Sequence, residues 1–191
     1  VKNLAMQKVL NVKTQGLPKM RRDNSSGEFS GRIYVCWGDE KHGEKNKDIF
    51  LSYYDALNHH WVQPVLVTYR PNHKEQFNPD FCISPKTGMV YLLYYDRQNY
   101  YRGNFTDVYL ARGKSGGLNY DYLKLNDQPI PIDEKTFSEN KTEIKIQQDS
   151  IISMWVCETS NKKISGIRAS ISEKGFDEAV QKELKHEIQP E

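Results

Sequence analysis

Residues 88–112 read GMVYLLYYDRQNYYRGNFTDVYLAR, and residues 31–52 read GRIYVCWGDEKHGEKNKDIFLS. Both stretches begin with Gly, continue through an apolar run rich in aromatic residues, and reach an Asp eight residues after that Gly. A polar segment then leads to a second Asp and a second apolar run. The polar segments differ in length while the flanking spacings agree, so the pattern indicates a repeated unit with a variable loop.

A fainter third copy follows these two units along the chain. It reads DSIISMWVCETSNKKISGIRASISEKG and places Asp149 at the position of the initial Gly. The repeat has a period of roughly 55 to 60 residues, which is typical of propeller blades and not of short helical repeats.

Apolar runs rich in β-branched and aromatic residues predict strands within each unit. The predicted strands are 17–22, 32–38, 48–54 and 60–67 in unit one, 79–84, 89–95, 107–112 and 119–125 in unit two, and 142–148, 150–157 and 164–171 in unit three. We therefore predict an all-β fold of about three four-stranded antiparallel β-propeller blades. A β-sandwich or jelly roll of unrelated strands is the alternative.

The C-terminal tail has a different periodicity. Phe176, Val180 and Leu184 recur at every fourth position, which predicts a short amphipathic helix. An outer strand is the alternative for this segment.

Composition excludes several classes of function. The chain has 191 residues and a formal net charge of +2, with 27 Lys and Arg against 25 Asp and Glu, so it carries no electrostatic footprint for nucleic acid or anionic lipid. No apolar run approaches the roughly 20 residues of a membrane helix. The three cysteines lie singly inside apolar runs, which predicts buried reduced thiols and no metal ligation.

The units resemble the sialidase-like, Asp-box (BNR) repeat propellers, in particular the C-terminal half of bacterial secreted glycosyl-hydrolase-like members. Asp39 and Asp96 match the first Asp of the family's blade pattern, and Asp48 and Asp107 match the second.

The Asp box itself is degraded in this chain. Its register covers 54–61 and 113–120, where Trp61, Tyr120 and Gly117 are retained. The Asp position of the box is occupied by Ala56 and Ser115. The resemblance is therefore specific for the fold and weak for activity.

The resemblance implies a half of a six-bladed propeller. Its blades would cover about 14–68, 77–127 and 139–175, with a tail at 176–191, and together they would form a single partial domain. The remaining half of the propeller, or a second chain, would be needed to complete the ring. The resemblance also implies a secreted or cell-envelope location, and we expect no membrane insertion.

The recurring aspartates are predicted to pin the loops. Asp39, Asp48, Asp96 and Asp107 stand opposed across the loop mouths, where Asp side chains accept backbone N–H groups. A carboxylate pair for glycoside hydrolysis or a Ca²⁺ site is the functional alternative. A catalytic group should occur once and not once per blade, so we favour the structural role and predict no metal or cofactor.

The loop of 96–107 is the predicted ligand contact. Tyr100, Tyr101 and Phe105 offer aromatic faces, and Arg97 and Arg102 offer planar donors, a combination that suits sugars. The alternative is an ordinary surface loop whose aromatic residues pack on the neighbouring blade.

These observations predict a module for glycan or protein recognition that is non-catalytic by itself. One alternative is a fragment of an exo-acting glycoside hydrolase of the exo-α-sialidase type, with its catalytic residues mainly in a missing N-terminal half. A structural subunit of a cell-envelope assembly is the second alternative. No catalytic residue is assigned, because no residue of this chain matches a catalytic motif of the family.

Overall fold

The structure is a computed structural model that describes residues 17–43, 46–68, 74–100, 104–114, 116–132, 141–158 and 164–188. In these residues the chain forms three antiparallel sheets and one helix. The predicted all-β class, the antiparallel pairing and the C-terminal helix are thereby confirmed.

Sheet 1 is built from consecutive strands. They are β1 (Lys19–Arg22), β2 (Ile33–Asp39), β3 (Asp48–Asp55), β4 (His60–Trp61) and β5 (Val65–Leu66). Both β4 and β5 pair with the edge of β3 that faces away from β2. The prediction of one strand over 60–67 was wrong, because Pro64 has no N–H to donate and interrupts the ladder.

Sheet 2 follows the same plan. It contains β6 (Gln76–Ile83), β7 (Val90–Asp96), β8 (Phe105–Lys114), β9 (Asn119–Lys124) and β10 (Ile130–Pro131). Here β9 and β10 share the free edge of β8. The first two sheets therefore have five strands each, and not the four predicted, because two short strands fill the fourth position.

Sheet 3 contains three strands within the described residues, and the helix follows it directly. The elements are β11 (Thr142–Gln147), β12 (Ser150–Glu158), β13 (Ile164–Ser172) and α1 (Glu173–Ile188). Ser172 caps the helix, since its Oγ accepts the amide of Gly175 at 3.0 Å. Phe176 and Val180 are buried, as the spacing of the tail predicts for a helix.

Sheet 2 lies between the other two sheets. Successive side chains of a strand point to opposite faces, so the two faces of β7 pack on different neighbours. Val90, Leu92 and Tyr94 pack with sheet 1. Tyr91, Leu93 and Tyr95 pack with sheet 3 and α1. Burial on both faces explains the unbroken apolar run that opens the sequence repeat in this unit.

Asp80 on β6 lies where the first strands of all three sheets meet. Its carboxylate lies 3.2 Å from Lys19 Nζ and 3.0 Å from Arg21 Nη2, both on β1. It also accepts the backbone amides of Phe81 at 2.9 Å and of Ile144 on β11 at 3.2 Å. The side chain of Asp80 is nearly fully buried, so this single carboxylate joins three sheets.

Candidate functional site

The predicted site lies at one end of the sheets, where β2 joins β3 and β7 joins β8; we call it the loop end. Asp39 pairs in register with Asp48, and Asp96 with Asp107. In sheet 3 the corresponding strands meet at Glu158, whose register partner is Ile164. The paired aspartates are therefore opposed across the two loop mouths.

Asp107 organises the second loop. It is fully buried, and its Oδ1 accepts the Tyr100 hydroxyl at 2.8 Å and Asn126 Nδ2 at 2.8 Å. Its Oδ2 accepts Asn99 Nδ2 at 2.8 Å. Both carboxylate oxygens are thus occupied by donors from the loop and from the segment after β9, and the Tyr100 side chain is held in one position.

Tyr100 and Phe105 form an aromatic pair above Asp107. Their ring centroids are 5.8 Å apart and the ring planes are inclined at 48°. Phe105 is 40 % exposed and Tyr100 is half-buried, so part of this pair faces solvent. Burial and the hydrogen bond to Asp107 raise the pKa of Tyr100, which keeps the phenol protonated as a donor.

Asp96 holds the start of the same loop. Its Oδ1 accepts the amide of Gln98 at 2.7 Å and Gln76 Nε2 at 3.1 Å. Burial raises the pKa of Asp96 to about 6, and the nearby charges of Asp107 and Asp48 act in the same direction. The two hydrogen bonds favour the ionised carboxylate, but burial outweighs them and the pKa is raised.

The first loop is held by different contacts. Asp48 is fully buried, and its carboxylate lies 2.6 Å from His42 Nδ1 and 3.4 Å from Thr68 Oγ1. Burial raises the pKa of Asp48, and His42 opposes that shift. Asp39 is half-buried and accepts Trp37 Nε1 at 3.5 Å.

The other predicted ligand residues have different positions. Arg97 Nη1 lies 2.9 Å from Glu75 Oε2, so its guanidinium takes part in an ion pair at the loop end. Tyr101 and Arg102 lie outside the described residues. The structure therefore brings together Tyr100 and Phe105, and it places Arg97 in an ion pair with Glu75, which precedes β6.

Sequence reasoning missed three polar residues that complete the site. Gln76 opens β6, Asn99 lies in the loop, and Asn126 follows β9. Neither Gln76 nor Asn126 belongs to the pair of matched stretches that revealed the repeat, so the spacing argument had no access to them.

A fourth missed residue, Asp55, lies at the opposite end of sheet 1. Its Oδ1 accepts the amides of Leu57 at 2.9 Å and Asn58 at 3.2 Å, and its Oδ2 accepts Asn58 Nδ2 at 2.9 Å. The hydrogen bond from the Asn58 side chain is the main cause that lowers the pKa of Asp55. Asp55 thus caps the turn one residue before Ala56, where the Asp box was aligned.

Three other features of the described residues concern metal binding, membrane helices and the cysteines. In the described part of the chain no three His, Cys, Asp or Glu side chains are grouped so that they could hold a metal ion. No helix among the described residues is long and apolar enough to cross a membrane. Cys36, Cys82 and Cys157 are free thiols, and burial raises the pKa of Cys82 to about 12.

Comparison of the chain with models of known protein families and with the sequences of curated proteins finds no match. Any functional conclusion must therefore come from the residues and the geometry of the loop end.

Proposed function

We propose that this chain is a sialidase-like propeller module that recognises glycans outside the cytoplasm and is non-catalytic by itself. The observation that carries the proposal is the partly exposed pair of Tyr100 and Phe105, held in place by Asp107. Aromatic faces pack against the C–H faces of sugars, and polar groups beside them bind hydroxyls.

Preorganisation strengthens this reading of the aromatic pair. The hydroxyl of Tyr100 is bound to a buried carboxylate that two amide side chains also contact. A ring held in this way loses little conformational entropy when a ligand packs on it.

A non-catalytic role agrees with the state of the acids. Asp96 has a pKa suited to a general acid, but its residue is only 1 % exposed and therefore does not reach a substrate in this arrangement. Both oxygens of Asp107 are occupied by protein donors. The exo-acting glycoside hydrolase stays the alternative, and its catalytic residues would lie mainly outside this chain.

Replacing Tyr100 by Ala should weaken glycan binding by about 2 kcal/mol, roughly thirtyfold, because the aromatic face is lost. Tyr100→Phe keeps that face but loses the hydrogen bond to Asp107, so its affinity should lie between those of the parent and Tyr100→Ala. Tyr54→Ala is the matched control, since Tyr54 is a half-buried tyrosine at the far end of β3.

The measurement is a screen of neutral and acidic oligosaccharides on an array, followed by titration calorimetry with the best one. A fluorogenic sialoside is incubated with the same protein in parallel. Turnover of the sialoside would contradict the proposal and support the alternative of an exo-acting glycoside hydrolase. Absence of binding to every glycan would favour the structural subunit of an envelope assembly.

The propeller part of the proposal rests on how the sheets repeat. Each of the first two sheets is a meander of consecutive strands. Residues at equivalent positions of the two repeats pack on the sheet that follows in the chain. Tyr34 of sheet 1 packs on sheet 2, and its repeat equivalent Tyr91 packs toward sheet 3. Such head-to-tail packing of sheets either closes into a ring or continues as an open array of sheets.

This arrangement leaves an outer face on sheet 1. On β2 this face carries Ile33, Val35 and Trp37, which are half-buried, and on β1 it carries Met20, which is 68 % exposed. The corresponding face of sheet 2 is covered by sheet 1. We therefore propose that the remaining half of the propeller, or a second chain, covers the outer face.

The partner proposal predicts that the chain self-associates when no other partner is present. Native mass spectrometry should give a mass above that of the monomer, and Val35→Glu should shift the population toward monomer, because a charge enters an apolar interface. Leu57→Glu is the control, since Leu57 is 90 % exposed in the turn between β3 and β4. A stable, folded lone monomer would contradict the proposal.

A further inference from the structure

Asp96 and Gln76, which we call the acid–amide pair, have an unusual arrangement at the loop end. Gln76 Nε2 donates to Asp96 Oδ1 at 3.1 Å and to the Lys74 carbonyl oxygen at 2.9 Å. Because both partners of Nε2 are acceptors, the amide orientation is set and Oε1 must be its acceptor end. Gln76 is 0 % exposed and Asp96 is 1 % exposed.

Each member of the acid–amide pair also has a second buried oxygen. Gln76 Oε1 and Asp96 Oδ2 make no hydrogen bond with any residue that the structure describes. A buried acceptor without a donor costs roughly 1–3 kcal/mol. One proton on Asp96 Oδ2 would remove this conflict, because a carboxylic acid and a primary amide are complementary through two hydrogen bonds.

We propose that the acid–amide pair is a proton-operated latch: the neutral carboxyl of Asp96 closes a two-bond ring with the Gln76 amide, and release of the proton to solvent opens this ring and weakens the link between β6 and the start of the turn of residues 97–100. That turn carries Tyr100 and is closed by the Tyr100 amide on the Arg97 carbonyl oxygen at 2.9 Å. The consequence for ligand binding rests on the proposed function, whereas the latch itself does not.

The charges that face Asp96 favour its neutral form. Asp107 lies opposite it on β8, and Asp48 approaches it from sheet 1, so ionised Asp96 adds a charge to a buried acidic group. His42 is bound to Asp48 and offsets part of that charge.

Other titratable groups described at the loop end include Asp39, Tyr100, the ion pair of Arg97 and Glu75, the buried Lys47, and two further tyrosines. The backbone of Lys47 contacts Gln76, since the Lys47 carbonyl oxygen accepts the Gln76 backbone amide at 2.7 Å. Burial raises the pKa of Tyr94 and of Tyr109, so both phenols stay neutral through the relevant range.

The sign of the pH dependence follows from the direction of the shift. The pKa of Asp96 is raised in the folded chain to about 6, above the value near 4 of an unfolded Asp. The folded state therefore binds this proton more tightly. The contribution of Asp96 to stability is fully present below about pH 4 and is lost as the pH rises through about 6.

The test is a titration that needs no ligand. In ¹³C-detected NMR, the Asp96 carboxyl should titrate near pH 6, and the folding equilibrium constant should fall up to about 100-fold between pH 4 and 7.5 through this group. Asp96→Asn, whose amide can donate to Gln76 Oε1 at every pH, should remove that part of the profile and be more stable than the parent at pH 7.5. Asp39→Asn, at the equivalent position of sheet 1, should keep the parent profile.

Three results would overturn the latch. They are titration of Asp96 near pH 4, an unchanged pH profile in Asp96→Asn, and stabilisation of the parent at pH 7.5 by added Ca²⁺ as strong as that produced by acid. If the titration succeeds and no glycan binds, the latch stands and the proposed function fails. If a glycan binds equally well at pH 5 and 7.5 while Asp96 titrates near 6, the link between latch and ligand site is rejected.

Discussion

Replacing Phe176 by Ala should lower the free energy of unfolding by about 3–5 kcal/mol, because truncation of a fully buried aromatic ring leaves a cavity that the fold only partly fills. The ring of Phe176 is 0 % exposed and meets the ring of Tyr91 edge to face at 6.0 Å. The Arg112 guanidinium lies over the same ring, 4.8 Å from its centroid.

The effect should be large because Phe176 is the main apolar anchor of α1. The helix also buries the smaller Val180, and Asp177 contacts Arg112 Nη2 at 2.6 Å with its own side chain 52 % exposed. A half-exposed ion pair adds little to stability, so it cannot replace the buried ring. Thermal unfolding should shift downward by roughly 6–20 °C for a chain of this length.

Two variants separate packing from helix propensity. Phe176→Leu keeps much of the apolar volume and should recover most of the lost stability. Lys182→Ala changes an exposed position of α1 and should stay within about 0.5 kcal/mol of the parent. If Phe176→Ala costs no more than Lys182→Ala, the packing of Phe176 does not anchor α1.

The strands of this chain could be predicted because their signals are local. A strand needs only alternating or continuous apolar residues between polar segments, and the repeat supplied a second, independent copy of each pattern. The opposed pairs of Asp39 with Asp48 and Asp96 with Asp107 follow from the same reasoning, since a short loop must return to the residue opposite its start.

The contacts between sheets could not be predicted in the same way. Tyr95 Oη bonds the backbone of Val156 on sheet 3, to its carbonyl oxygen at 2.6 Å and its amide at 3.0 Å, and nothing in the local sequence marks that partner. Gln76 and Asn126 reach the site from strand ends outside the matched stretches. Such contacts depend on how whole sheets are placed, which spacing along the chain does not encode.

Replacing Asp80 by Ala should lower the free energy of unfolding by about 2–4 kcal/mol, and most of that loss should come from two backbone amides. Asp80 accepts the amides of Phe81 and Ile144, both at buried positions. A buried donor left without its partner costs about 1–3 kcal/mol.

The two cations on β1 contribute less to this effect. The side chains of Lys19 and Arg21 are 41 % and 43 % exposed, so both keep contact with water when the carboxylate is removed, and Arg21 also keeps the hydrogen bond that its Nε donates to the Phe81 carbonyl oxygen. Exposed ion pairs contribute at most about 1 kcal/mol. We therefore expect Arg21→Ala to cost clearly less than Asp80→Ala.

Asp80→Asn distinguishes the loss of charge from the loss of an acceptor. It keeps one oxygen for the amides and should fall between the parent and Asp80→Ala in urea denaturation. Because Asp80 joins the first strands of all three sheets, its loss should also weaken their cooperativity, so that fluorescence and circular dichroism no longer report one transition. A cost for Asp80→Ala equal to that of Arg21→Ala would mean that the two backbone amides add nothing to stability beyond the ion pair.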